Sequence, residues 1–159
     1  MLNIHIEDKK KFTSKLFIKE DFDDFMLIEA AITTSNAYSI DGRIQKKFYT
    51  DEEYEALGKP EFSRWRNMKK LCFEMIKGNK TPVKFKIVLK LAESQLEKIM
   101  DNTDTMLTSD DIQGMFVNIR YENDSIDCIT ATSLKIFSMD KSIEEAFDKY
   151  MEKFLLALA

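Results

Sequence analysis

The chain has 159 residues, 44% of them hydrophobic and 33% charged, with a formal net charge of −4. That length suits one domain with a sizeable core, and the composition excludes a disordered or low-complexity chain. No apolar run approaches the length of a bilayer span, so no membrane partner is expected.

The first residues, Leu2 to Ile6, alternate as a short strand. His5, Glu7, Asp8, Lys9 and Lys10 stand where a secretory signal would need an apolar run, so a cytoplasmic protein is expected. Asp8 is placed to cap a helix with apolar positions Phe12, Leu16 and Phe17. Phe25 to Thr34 is apolar and β-branched, and Ser35-Asn36 is a turn signal. Ala37 to Ile40 reads as a strand, Asp41-Gly42 as a hairpin turn, and Arg43 to Tyr49 as the returning strand.

Residues 1–50 thus read β-α-β-β-β. Residues 51–80 hold two connecting helices. A Thr50–Glu53 capping box opens the first, which ends at Gly58. The second runs from about Glu61 to Lys77 and stops at Gly78. Its apolar face carries Phe62, Trp65, Met68, Leu71 or Cys72, Met75 and Ile76.

Residues 81–139 repeat the order. Val83, Phe85, Ile87, Leu89 and Leu91 alternate with Lys84, Lys86 and Lys90, the period-two pattern of a strand wet on one face. Ser94 and Glu97 form a second capping-box signal, before a helix bearing Leu96, Ile99 and Met100. After a polar loop, Met115 to Tyr121 and Ile126 to Thr130 form strands joined at Glu122-Asn123-Asp124. Leu134 to Phe137 is expected as a third strand after a turn near Thr132-Ser133. Residues 140–159 form a final helix, capped by Asp140 or Ser142, with Ile143, Phe147, Tyr150, Met151 and Phe154 on one stripe. The expected class is a single α+β domain of two β-α-β-β-β units, each followed by helices.

Enzymatic motifs are sparse, and the reading leans away from catalysis. His5 is the only histidine, so any Ser/His/acid or Cys/His site must use it. Cys72 and Cys128 lack metal-ligand spacing and read as buried thiols of a reducing compartment, a single disulfide being the alternative. Gly42, Gly58, Gly78 and Gly114 are isolated, so no phosphate loop can be written and no cofactor is expected. Asp101, Asp104, Asp110 and Asp111 share a loop, but Met106 and Ile112 stand where a calcium loop needs Gly and Glu. No metal is expected.

The charge distribution suggests more. Lys59 to Lys90 contains ten Lys or Arg against Glu61 and Glu74, a local balance of +8. Arg64, Arg66, Lys70, Lys77 and Lys80 on and after the long helix could join Lys84, Lys86 and Lys90 of the next strand in one positive surface. Such a surface would suit nucleic acid or another polyanion, with Trp65 as a stacking platform. The plainer reading is that the lysines guard a wet sheet face and Trp65 is core. The alternative function is a protein-interaction or self-assembly module using a sheet edge or the C-terminal helix.

Two resemblances bear on this. Glu29-Ala30-Ala31-Ile32-Thr33-Thr34, Ile40-Asp41-Gly42-Arg43, Ile76 to Pro82, Asn118-Ile119-Arg120-Tyr121 and Thr132-Ser133-Leu134-Lys135 resemble a family of small uncharacterised bacterial proteins, a domain of unknown function. It implies no mechanism. The paired β-α-β-β-β units also resemble the sliding-clamp fold in topology, which implies halves related by a pseudo-twofold. Clamp helices face DNA with basic residues; Lys9, Lys10, Lys11 and Lys15 fit that pattern, whereas Glu93, Glu97 and Asp101 around Lys98 depart from it.

Overall fold

Alternating burial along the strands decides the architecture. In the computed structural model, which describes residues 1–158, six strands form one antiparallel sheet. They are β1 (Asn3–Ile6), β2 (Met26–Thr33), β3 (Ala37–Asp41), β4 (Lys84–Lys90), β5 (Ile112–Glu122) and β6 (Ser125–Leu134), in the spatial order β1-β6-β5-β4-β2-β3. Register places Ile4 beside Cys128, Cys128 beside Ile119, Ile119 beside Ile87 and Ile87 beside Ala30. All five are buried, so one apolar row runs across five strands on the same face.

The helices cover that face. They are α1 (Lys9–Phe17), α2 (Asp51–Ala56), α3 (Trp65–Ile76), α4 (Glu93–Asp101) and α5 (Ser142–Leu158). Of these, α3 lies against β2 and α5 against β6, with α1 in contact with both and α4 beside α5. Phe17 meets Trp65, Phe73 and Phe85, while Phe22 meets Phe12, Phe25 and Phe154. Each large side chain taken fully from water contributes roughly 1.5–3 kcal/mol, and the ring pairs add to it. Most polar groups inside this layer have partners, Thr132 Oγ1 being an exception. Trp65 Nε1–H donates to Leu16 O at 2.7 Å, and Thr130 donates to Asp148 Oδ1 at 2.6 Å while accepting from Leu2 N–H.

The mixed α+β class holds, but neither unit has its third strand. Arg43 to Tyr49 makes only an isolated bridge, Arg43 to Phe62, and a 3-10 turn at Lys46–Phe48. Gly42 is not a hairpin glycine, and its φ is not positive. A Cβ there would lie 1.8 Å from Leu27 O, so the glycine permits close backbone approach. The hairpin forms earlier, where Thr34 N–H donates to Asn36 O. Leu134 to Phe137 forms no separate strand either. No turn breaks the chain at Thr132-Ser133, because β5 pairs with β6 through Met115–Thr132 to Ile112–Leu134. The turn at Asn123-Asp124 forms as expected, both residues having φ near +55° (53° and 59°).

Smaller boundaries move for local reasons. Phe62 and Arg64 bridge to Arg43 and Met26, so α3 starts only at Trp65. Ala92, not Ser94, precedes α4, and no side chain caps it. On α3 Cys72 is buried and Leu71 is half exposed. Both cysteines are free, and burial pushes their thiols up to about 11 for Cys72 and about 12 for Cys128.

The two halves share the order β-α-β-β but not the pairing. In the second, β4, β5 and β6 are neighbours in sequence order; in the first, β1 lies beside β6 and β2 joins β4. Exchanging the halves would turn the β2–β4 pair into β5–β1, which does not exist. The sliding-clamp likeness is limited to local element order.

Phe147 on α5 is fully buried, whereas Phe154 is only partly so. Phe147→Ala should destabilise by roughly 3–5 kcal/mol, through lost transfer energy and the cavity left behind, and Phe154→Ala by less. Urea midpoints of the two variants check this; an unchanged midpoint for Phe147→Ala would place α5 outside the core.

Candidate interaction end of the sheet

The basic residues fall on opposite sides of the sheet. Phe85, Ile87 and Leu89 point into the helical layer, so Lys84, Lys86 and Lys90 point to the open face. Arg66, Lys70 and Lys77 belong to α3 or its C-terminal end, on the covered side, whereas Arg64, bridged to Met26 in the same row as Lys90, shares the open face. The backbone of the sheet lies between the two groups. Several also have polar partners, a carboxylate for Arg66, Lys77 and Lys86 and a neutral backbone carbonyl for Arg64. Arg64 donates to Asp24 O, Arg66 pairs with Asp24, Lys77 with Glu74 at 3.0 Å and Lys86 with Glu29 at 2.7 Å. Lys70 and Lys80 are exposed, Lys84 lies across from Glu122, and Lys90 sits over the Phe62 ring at 5.9 Å. Trp65 is fully buried and unavailable for stacking on a base.

Chemistry-bearing groups meet at one other place on the open face. His5 Nδ1 lies 3.3 Å from Asp127 Oδ1 and 3.4 Å from Ser125 Oγ. Both oxygens share one ring nitrogen. A relay requires the nucleophile on one nitrogen and the carboxylate on the other, so these three do not form one in this arrangement. Among the described residues no group of three or more His, Cys, Asp or Glu is arranged to hold a metal ion.

The other distinctive region follows from strand direction. Every neighbouring pair is antiparallel, so the end of β3, the start of β5 and the end of β6 all lie at one end of the sheet. From that end project an arm, residues 43–60, and two loops, residues 102–111 and 135–141. The arm closes at its base, where Ser63 N–H donates to Gly42 O at 2.9 Å and Ile44 N–H to Glu61 O at 2.8 Å. It holds α2 and the 3-10 turn yet contains no buried residue. Local contacts shape it: the Thr50–Glu53 capping box forms, Tyr54 donates to Pro60 O, and Lys46 lies over the Tyr54 ring.

Large apolar side chains stand in water at this end. Phe48 is 82% exposed, Met106 94%, Phe137 89% and Met139 81%. Two of them hid in the sequence inside supposed strands, Phe48 after Arg43 and Phe137 after Leu134. The legible signal was Gln45-Lys46-Lys47, which breaks the period-two pattern just before Phe48.

Asp140 ties the two loops to α5. It accepts from Ser142 Oγ and from Ser142 N–H at 2.9 Å, and from Thr105 Oγ1 at 2.7 Å. Nearby, Lys135 N–H donates to Asp111 O at 2.8 Å. A mixed α+β protein with a one-sided sheet and an apolar, ordered end is the class these features define. Within that class the chain belongs to a family of unknown function, DUF5721, whose model matches residues 15–158. Neither a curated protein nor a solved structure shows significant similarity to it. No helix is long and apolar enough to cross a membrane among the described residues.

The hydrogen bonds from Ser142 and Thr105 stabilise the Asp140 carboxylate and lower its pKa from 3.8 to about 2. A depressed carboxylate pKa means the tether is intact above about pH 4 and is lost as pH falls through about 2. The Asp140 carboxyl carbon, followed by NMR, should titrate near 2, with the Thr105 and Ser142 amides moving in step. A midpoint near 4 would show that the tether is absent.

Proposed function

We propose that the protein is a non-enzymatic protein-interaction module that engages its partner through this end of the sheet. The observation that carries the reading is that Phe48, Met106, Phe137 and Met139, 81–94% exposed, all stand on projections from one end of the sheet. Single exposed apolar residues are ordinary, but grouped ones mark interaction surfaces. An arm with no fully buried residue of its own adds little to the core; long loops of this kind are usually functional.

Of the elements weighed for this role, α5 is occupied. Its apolar stripe of Ile143, Phe147, Met151 and Leu155 is buried in the fold. The outer edge of β3 is short, and it continues directly into the arm. A partner strand added there would lie beside the arm, which supports one interface rather than two.

The polyanion reading retains one supporting observation. Lys86 lies directly across from Arg120 on the open face, a like-charged cross-strand pair that an anion would relieve. Glu29, Glu122 and Asp127 interleave with these cations and weaken the attraction.

One experiment separates the readings. A photo-cross-linking amino acid is placed at position 48, 137, 70 or 86, with position 80 at the opposite end as control, in cells that produce the protein. Discrete protease-sensitive adducts at 48 and 137 and none at 80 are expected. Nuclease-sensitive adducts at 86 or 70, with none at 48 and 137, would overturn the protein-interaction reading in favour of nucleic acid.

A further inference from the structure

The geometry points to the occupant of the loop pair: a cationic amphipathic helix of a partner protein. This rests on the protein-interaction reading and names the chemistry that the surface would accept.

The apolar anchors come first. Met106 projects from the loop after α4, and Phe137 and Met139 from the segment after β6. The Thr105–Asp140 and Lys135–Asp111 hydrogen bonds hold the two segments side by side. Methionine is unbranched and polarisable, so a surface of Met with one Phe adapts to an apolar stripe of varied shape. Helix-in-groove recognition uses such anchors for residues one turn apart.

Charge fixes the sign of the partner. Across the loop pair and the turn before it, Asp101, Asp104, Asp110, Asp111 and Asp140 outnumber Lys135 and Lys141, and Lys141 lies 3.9 Å from Glu144. Beside Met106 opens a cleft of about 390 Å³, with Met100 and Leu107 among its lining residues and the carboxylates of Glu97 and Asp101 alongside. A lysine or arginine fits it in both parts, its aliphatic stem against Met100 and Leu107 and its charged head toward the carboxylates. The same acidity disfavours the other occupants. A second copy would bring its own aspartates to this face, and nucleic acid or an anionic lipid surface would be repelled.

The test uses the whole protein and a synthetic amphipathic Leu/Lys helix about 18 residues long, with a Leu/Glu helix of the same apolar pattern as its control. Binding is followed through the methionine methyl signals. The Leu/Lys helix should shift Met106 and Met139 and leave Met26 and Met68 in place, and its affinity should fall as salt rises. The double substitution Met106→Asp and Phe137→Asp, at exposed positions, should leave the thermal midpoint unchanged. It should weaken binding by roughly tenfold or more, as loss of interface anchors does. Equal binding of the Leu/Glu helix, or shifts confined to other methionines, would overturn the proposal without using any variant. Protein adducts at positions 48 and 137 without binding of the Leu/Lys helix would overturn the cationic assignment while the interaction reading stands.

Discussion

The structure depends on one constraint: its sheet is apolar on a single face. Ile87, Ile119 and Cys128 can leave water only if helices cover that side, so α1, α3, α4 and α5 gather there. The crossover from β1 through α1 to β2 passes over the same face, allowing β1 to pair with β6 at the far side of the sheet. Burial is therefore settled before any charged residue is placed. The lysines of β4 occupy the open face because the other face is taken, and that alone separates them from Arg66 and Lys70 of α3.

The same constraint limits where function can reside. On the open face cations and anions are intermixed, as in Lys86 with Glu29 and Arg120 beside Asp127. The helical layer is closed by aromatic contacts and by hydrogen bonds such as that of Trp65. What remains are the ends of the strands. Antiparallel order directs the arm and both loops to the same end, and the large apolar residues most exposed to water are found on them. The opposite end carries the Asn123-Asp124 turn and the Ser35-Asn36 hairpin, both polar and tight.

Much of the fold was legible in the sequence because period and capping are local properties. Phe85-Ile87-Leu89 against Lys84-Lys86-Lys90 placed β4 and its two faces, and the stripe of α5 named Phe147 as core. Asp8 and Thr50 cap helices as their positions suggest. The misread positions depend on partners distant in sequence. Gly42 looked like a hairpin glycine, but its role is set by Leu27 O, and Phe62 left the helical pattern because Arg43 bridges to it. The basic residues are divided between the two faces for the same reason. Side chains close in sequence on α3 and β4 are separated by the sheet, and composition cannot distinguish one face from the other. Met106 carried no periodic signal, since loops have none, and Phe137 was hidden by the strand-like run from Leu134.

Excising the arm tests most directly the claim that stability resides in the one-sided core and that the projecting end serves another purpose. Ile44 N–H already reaches Glu61 O at 2.8 Å, so a short glycine-serine link can replace residues 45–60 without straining the base. The shortened protein should unfold cooperatively in urea, with a midpoint close to that of the full chain, because the arm buries no residue. Loss of cooperative unfolding, or a large fall in midpoint, would show that the arm is part of the core and would contradict this account.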